Sequence, residues 1–245
     1  LKVVLSRKGF DTKFGGGASS ILDGRPVSLP IPASNGETTT YGDRGLAQAV
    51  VHASRGRIAR DSACHDDPMF AEGHCWLGQV GAAQGHLRSQ GVGPGDLFLF
   101  FGLFADPAKR ERHHRLFGYM RVLATGAPEQ IRREACWREP PHPHPHLSGR
   151  WHHNNALWFG EGKLASRACD ALRLTTPGER RWARWSVPGW MMDNPPTYLR
   201  GDWRRIDANT LDTRGIWQEG VCDIGDAEEP MRWLESVIAE IGREA

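Results

Sequence analysis

Residues Ser89 to Val122 read SQGVGPGDLFLFFGLFADPAKRERHHRLFGYMRV, and this stretch decides the fold class. It opens on a Gly/Pro/Asp turn, Gly93-Pro94-Gly95-Asp96, which ends one element and aims the chain into another. Leu97 to Phe101 is then an apolar run of strand length, rich in aromatics and bounded by turn signals. Such a run reads as a strand buried on both faces. Ala105 to Arg115 reads as a polar loop, with three Arg, one Lys and two His. A second apolar run, Leu116 to Val122, carries Gly118 in its middle. Two buried strands joined by a charged loop make a β-hairpin, with Gly118 as a bulge or a point of close backbone approach.

Working outward, the 245 residues are long enough for a substantial core and read as one domain over 1–245, with a subdivision near 125–150 as the alternative. Twenty-nine Gly and sixteen Pro mean many turns and few long helices. The expected class is α+β, a mixed, β-rich core with a PUA-like barrel or hairpin element and a few short helices. No apolar stretch reaches the roughly 18 residues of a membrane helix, so no membrane partner is expected. The opening LKVVLSRKGFD enters a strand directly and does not read as a signal peptide. Five scattered cysteines without CxxC spacing fit reduced thiols and a cytoplasmic location. A formal charge of +2 requires any nucleic-acid surface to come from local clustering.

Residues 2–6 form the first strand, followed at once by Arg7-Lys8 and the Gly/Ser loop Phe14 to Ser20. A strand, a basic pair and a glycine loop can present backbone N–H groups to an anion. The spacing matches neither a P-loop nor a dinucleotide fingerprint. A plain turn between two strands fits it equally well. PVSLPIP, residues 26–32, reads as an extended edge segment. Helical spacing follows over Leu46 to Ala53, with Asp43 as N-cap, and again over Gly78 to Gln90, with Gly91 as the stop. Pro230 opens a final amphipathic helix whose apolar face is Met231, Leu234, Val237, Ile238 and Ile241, preceded by a strand near 215–223.

Three segments carry candidate chemistry. Cys64-His65-Asp66-Asp67-Pro68 with His74-Cys75 holds metal-ligand residue types, but its adjacent pairs lack ligand spacing within the segment. A polar cleft lined by His65 and Asp67 and a solvated loop both fit it. Pro140 to His146 alternates Pro and His in an extended segment, with His152 and His153 close by. Functional metal binding by His142, His144, His146, His152 or His153 and adventitious uptake both remain open, so no metal ligand is assigned and no cofactor follows. Residues 151–159, WHHNNALWF, read as a further strand. Residues 179–205 hold six Arg and four Trp against three acidic residues. Arg interleaved with Trp suits phosphate contact and base stacking, and Trp182 and Trp185 would form a stripe on a helix. Arg–Trp pairs internal to a folded sheet are the alternative.

SRKGFDTKFGGGASSI, DGRPVSLPIP, TYGD, HDDP, GQVGAAQGHL and GVGPGDLFLFFGLF, in that order, resemble the bacterial and phage nucleotide modification associated domain proteins of the third class. The resemblance implies DNA base modification, with DNA or a modified nucleotide and other components of such a system as partners. It supplies no settled reaction. Ser6, Arg7, Lys8, Asp11, Tyr41, Asp43, His65 and Asp67 stand where the family's polar words stand. HDDPMF departs from the more acidic continuation the resemblance implies. The expectation is therefore a cleft that binds, and in one reading processes, a modified base. Ser6, Arg7, Lys8, Gly15, Gly16, Tyr41, Trp182 and Trp185 would hold the nucleotide, and Asp11, Asp43, His65 and Asp67 would be catalytic. A non-catalytic PUA-like reader and a His-ligated metal enzyme are the alternatives, and the motif set contains no signature that makes the chain an enzyme.

Overall fold

The computed structural model describes residues 1–106, 111–214 and 219–244. The strands are β1 (Lys2–Arg7), β2 (Ser19–Leu22), β3 (Arg25–Val27), β4 (Ile31–Pro32), β5 (Cys64–His65), β6 (Met69–Ala71), β7 (His74–Gln79), β8 (Leu97–Asp106), β9 (Glu111–Gly126), β10 (Ala156–Leu164), β11 (Arg184–Ser186), β12 (Arg205–Asp207), β13 (Thr210–Asp212) and β14 (Gly220–Asp223). The helices are α1 (Ala47–Ser54), α2 (Gly81–Ser89), α3 (Pro128–Ile131), α4 (Gly189–Asp193) and α5 (Glu228–Gly242). The result is a mixed α+β architecture, strand-rich, with a curled half-barrel sheet. Among the described residues no helix is long and apolar enough to cross a membrane.

The main sheet runs β14-β1-β8-β9-β10-β7-β6, with β2 and β3 joined to it through β8. β1 lies parallel to β8 from Val3–Leu97 to Arg7–Phe101. β2 lies parallel to β8 further on, at Ser19–Phe104 and Ser20–Ala105. β9 holds the other edge of β8 throughout, so β1 and β2 follow one another along a single edge. Residues 8–18 form an excursion between them. Its first step is secured by the Lys8 N–H, which donates to the Phe101 carbonyl at 2.8 Å. The basic pair and the glycine loop therefore sit at a break in the sheet.

β8 is buried on both faces, as its apolar run predicts. Leu97, Leu99 and Phe101 pack with Trp185, Trp190 and the α5 residues Leu234, Val237 and Ile241. Phe98, Phe100 and Phe104 pack on the opposite side with Leu77, Phe117 and Trp158. Each fully buried side chain of this size contributes about 1.5–3 kcal/mol relative to an exposed one. The register slips between Phe100 and Phe101, where Gly118 and Leu116 are the respective partners and Phe117 is the extra residue. A β-carbon on Gly118 would come within 3.0 Å of the Lys163 carbonyl oxygen, so the glycine serves both the bulge and the close approach.

Several elements differ from expectation. The polar loop at Ala105 to Arg115 is largely strand, with residues 107–110 outside the described set. His113, His114 and Arg115 are buried in β9. Partners make this tolerable: Trp185 Nε1–H donates to His114 Nδ1 at 2.9 Å, and Arg115 Nη2 donates to the Cys169 carbonyl at 2.5 Å. Burial pushes the His114 imidazole down to about 3 and that of His113 down to about 4, so both are neutral near pH 7. Gly78 and Gln79 end β7 rather than opening a helix, and β10 begins at Ala156, later than the predicted strand at 151–159. The strand expected near 215–223 is β14, with 215–218 outside the described residues. Asp43 does not cap α1. Its carboxylate accepts from the Thr40 N–H and hydroxyl, each at 2.8 Å, and Leu46 takes the cap position.

Candidate functional site

The polar cleft forms where three distant pieces of chain meet the break in the sheet. β1 delivers Arg7 at its C-terminal end, with Lys8, Asp11 and Phe14 following in the excursion. β5 and the residues after it deliver His65 and Asp67, and the end of β7 contributes Gly78 and Gln79. The His/Pro segment contributes His146, and the connection that follows it contributes Trp151. Together these residues line a cavity of about 290 Å³.

The cationic wall is anchored by carboxylates. Arg7 pairs with Asp11 at 3.1 Å, and Lys8 Nζ lies 3.4 Å from Glu219. Gln79 Nε2 donates to the same Glu219 oxygen at 2.5 Å. The other Asp11 oxygen accepts from the Lys13 and Phe14 N–H groups at 2.7 Å each, closing the turn before the glycines. Gly15 and Gly16 both have positive φ. Gly16 packs against the Arg57 side chain, which donates to its carbonyl, and neither glycine lines the cavity.

A chain of acids and imidazoles runs through His65, Asp67 and His146, which also line the cavity. Glu37 Oε1 lies 2.7 Å from His65 Nδ1, and His65 Nε2 lies 3.9 Å from Asp67 Oδ2. Asp67 Oδ1 accepts from the Gly78 N–H at 2.7 Å and faces His144 Nε2 at 3.4 Å. Burial would raise the Asp67 carboxyl, but His144, with Lys8 and His146, holds it well below the usual carboxylate range. Burial pushes the His146 imidazole down to about 4. Trp151 stacks on the His146 ring at 4.1 Å between centroids. Asp66, next in sequence, turns away to pair with Arg44 at 2.8 Å.

Of the residues picked from the sequence, Arg7, Lys8, Asp11, His65 and Asp67 converge on this cavity. Ser6 and Tyr41 are fully buried and do not line it, and the Tyr41 hydroxyl donates to the Pro30 carbonyl. Asp43 is exposed in its own turn and does not line the cavity. Trp182 is half-buried, and Trp185 is a β11 core residue packed edge-on against Phe101 at 4.8 Å, with no open ring face. The helical stripe considered for this pair is replaced by a turn and a strand. Arg184, Arg200 and Arg204 direct their guanidinium groups at Glu179 or at backbone carbonyls, as does Arg205, which donates to the Met192 carbonyl. These contacts make the segment largely part of the scaffold. Glu37, Trp151, Asn155 and Glu219 are not picked by the sequence reading, and Gln79 is read only as a helix position in GQVGAAQGHL; each reaches the site only through folding.

Fold and site together define a strand-rich α+β protein with a small, charged cleft at a sheet discontinuity. Residues 2–223 match the family model for nucleotide modification associated domain 3, and the chain belongs to that family. No curated protein and no solved structure matches it.

Proposed function

We propose that the cleft binds a single nucleotide unit bearing a modified base and processes that base, as one step in a DNA base modification system. One observation carries the reading: Arg7 and Lys8 line the same cavity as His65, Asp67, His146 and Trp151. The basic wall suits phosphate, and Trp151 offers an aromatic surface for a base. His65 and Asp67 in the same lining would supply hydrogen-bond and proton-transfer groups to a base edge. The cavity volume is at the low end of the roughly 300–1,000 Å³ of small-ligand sites. It suits a free nucleotide, or one nucleotide turned out of a DNA strand, better than a stacked duplex.

Membership in a nucleotide modification associated family supports the substrate class. The buried acid–imidazole chain favours processing over reading, since stacking and neutral hydrogen bonds suffice for a reader. The test is binding of nucleotides and of DNA with and without a panel of modified bases, over a salt series, with nucleoside analysis of the same samples. Selective binding that persists at high salt, with a changed nucleoside, is the expected result. Selective binding without product would make the protein a PUA-like reader. Binding that ignores the base and disappears with salt would leave only phosphate contact and overturn the proposal.

A further inference from the structure

The proton positions in the acid–imidazole chain follow from the partners. A carboxylate can only accept, so the 2.7 Å contact between Glu37 Oε1 and His65 Nδ1 makes the ring nitrogen the donor, and His65 Nδ1 carries a proton. Asn155 Nδ2 donates to the His146 carbonyl at 3.0 Å, which orients the amide and turns its Oδ1 toward His146 Nδ1 at 2.6 Å. His146 Nδ1 therefore also carries a proton. In its neutral form each ring then keeps the Nε2 lone pair for a ligand. Asp67 Oδ1 is occupied by the Gly78 N–H and faces His144, which leaves Oδ2 on the His65 side. One ligand atom from each of His65, Asp67 and His146 lies within 4.8 Å of the others.

We propose that His65, Asp67 and His146 form a binding site for a divalent first-row transition-metal ion, held by two imidazoles and one carboxylate. Tying the remote ring nitrogen to an outer acceptor sets the tautomer and aim of a ligating histidine, and both rings have such an acceptor in Glu37 and Asn155. Nitrogen and carboxylate donors suit zinc, iron, cobalt or manganese better than magnesium or calcium. Neighbouring Cys75 is fully buried in the apolar core and is not a ligand. Bonds of about 2.0–2.2 Å need the ligand atoms closer together than they stand, a contraction that rotation of the two rings and the carboxylate can supply. Three protein ligands leave coordination positions open to the cleft, as in catalytic rather than structural sites. The inference rests on the nucleotide reading for its role, since those positions would face the bound nucleotide, but not for its existence.

The test uses tag-free full-length protein, stripped with a chelator and titrated with cobalt, manganese or zinc alone. Metal content after gel filtration and the visible absorption of the cobalt form are the readouts. One ion per chain is expected. His65→Gln, Asp67→Asn and His146→Gln should each weaken binding at least 100-fold, and Glu37→Gln by about 10–100-fold through the outer contact. Thermal melts identify any variant that unfolds, and Glu37→Gln tests the site without removing a ligand. The combined change of His142, His152 and His153 to Ala should leave binding intact. Substoichiometric metal, or metal lost in that triple variant and kept in His146→Gln, would overturn the site and assign uptake to the exposed histidines. Nucleotide binding is measured in parallel on stripped protein. Nucleotide binding with no metal site removes this inference alone, while stoichiometric metal with no nucleotide binding removes the functional reading and sustains the site.

Discussion

A β-carbon placed on Gly78 would lie 2.0 Å from Cδ2 of His146. The His146 ring thus rests directly on the β7 backbone, and only a residue without a side chain allows it. The same Gly78 donates its N–H to Asp67, so one glycine positions two of the three residues of the proposed metal site. Gly78→Ala should displace His146 and the Trp151 stacked on it. Overpacking of this kind typically costs about 1–3 kcal/mol. A urea titration should show that loss, together with weakened nucleotide and metal binding.

Arg7 separates binding from stability. Its side chain is 24% exposed and paired with Asp11, which is buried and keeps the Lys13 and Phe14 N–H donors when the guanidinium is removed. A charge-assisted hydrogen bond to phosphate is worth about 1.5–3 kcal/mol. Arg7→Gln should therefore weaken nucleotide affinity about 10–150-fold at a nearly unchanged melting temperature, as isothermal titration beside a thermal melt would show.

Trp151 tests recognition of the base. Stacking on an aromatic side chain is worth about 1–3 kcal/mol per base. Trp151→Ala should lower affinity for a nucleotide while leaving inorganic phosphate affinity nearly unchanged. Equal losses for both would place the base elsewhere.

Trp185 should behave in the opposite way. Trp185→Phe removes the donor to His114 Nδ1 and leaves a buried acceptor unsatisfied, at a cost of about 1–3 kcal/mol. Nucleotide affinity of the folded variant should not change. A loss of affinity at full stability would return this tryptophan to the binding surface.

Acid should destabilise the protein through the buried histidines of β9. His114 and His113 titrate at 6.5 when unfolded, and burial lowers them to about 3 and about 4 in the fold. Below pH 6.5 the unfolded chain binds protons that the folded chain refuses, so stability falls as pH falls. The slope is about 1.4 kcal/mol per pH unit for each group while only the unfolded state is protonated. The depressed carboxyl of Asp67 adds a loss of the same sign at lower pH. Urea midpoints measured from about pH 7 to about pH 5 should decline steadily, and a flat profile would mean that these imidazoles are protonated in the fold.

Legibility in the sequence followed the range of the interaction. The β8 run, the bulge at Gly118 and the apolar face of α5 were readable because period, aromatic content and punctuation report local geometry. Arg7 and Lys8 were readable as a basic pair leaving a strand. The charged residues around His114 were misread as a loop, since composition does not reveal that Trp185 and Cys169 supply partners inside the sheet. Asp43 was misread as a cap because its own turn competes for its carboxylate.

By itself the sequence determined a strand-rich α+β chain built on Leu97 to Val122, membership in the nucleotide modification associated family, and two candidate segments around Arg7 and His65. Only the tertiary structure brought them to one cleft. It also separated His146 from the other histidines of its tract and set it beside His65 and Asp67, with Glu37 and Asn155 behind. The physical reason is that short-range preferences choose elements, whereas contact between distant residues depends on sheet register and on which side chains can share a space. At Gly78 that choice came down to a missing β-carbon.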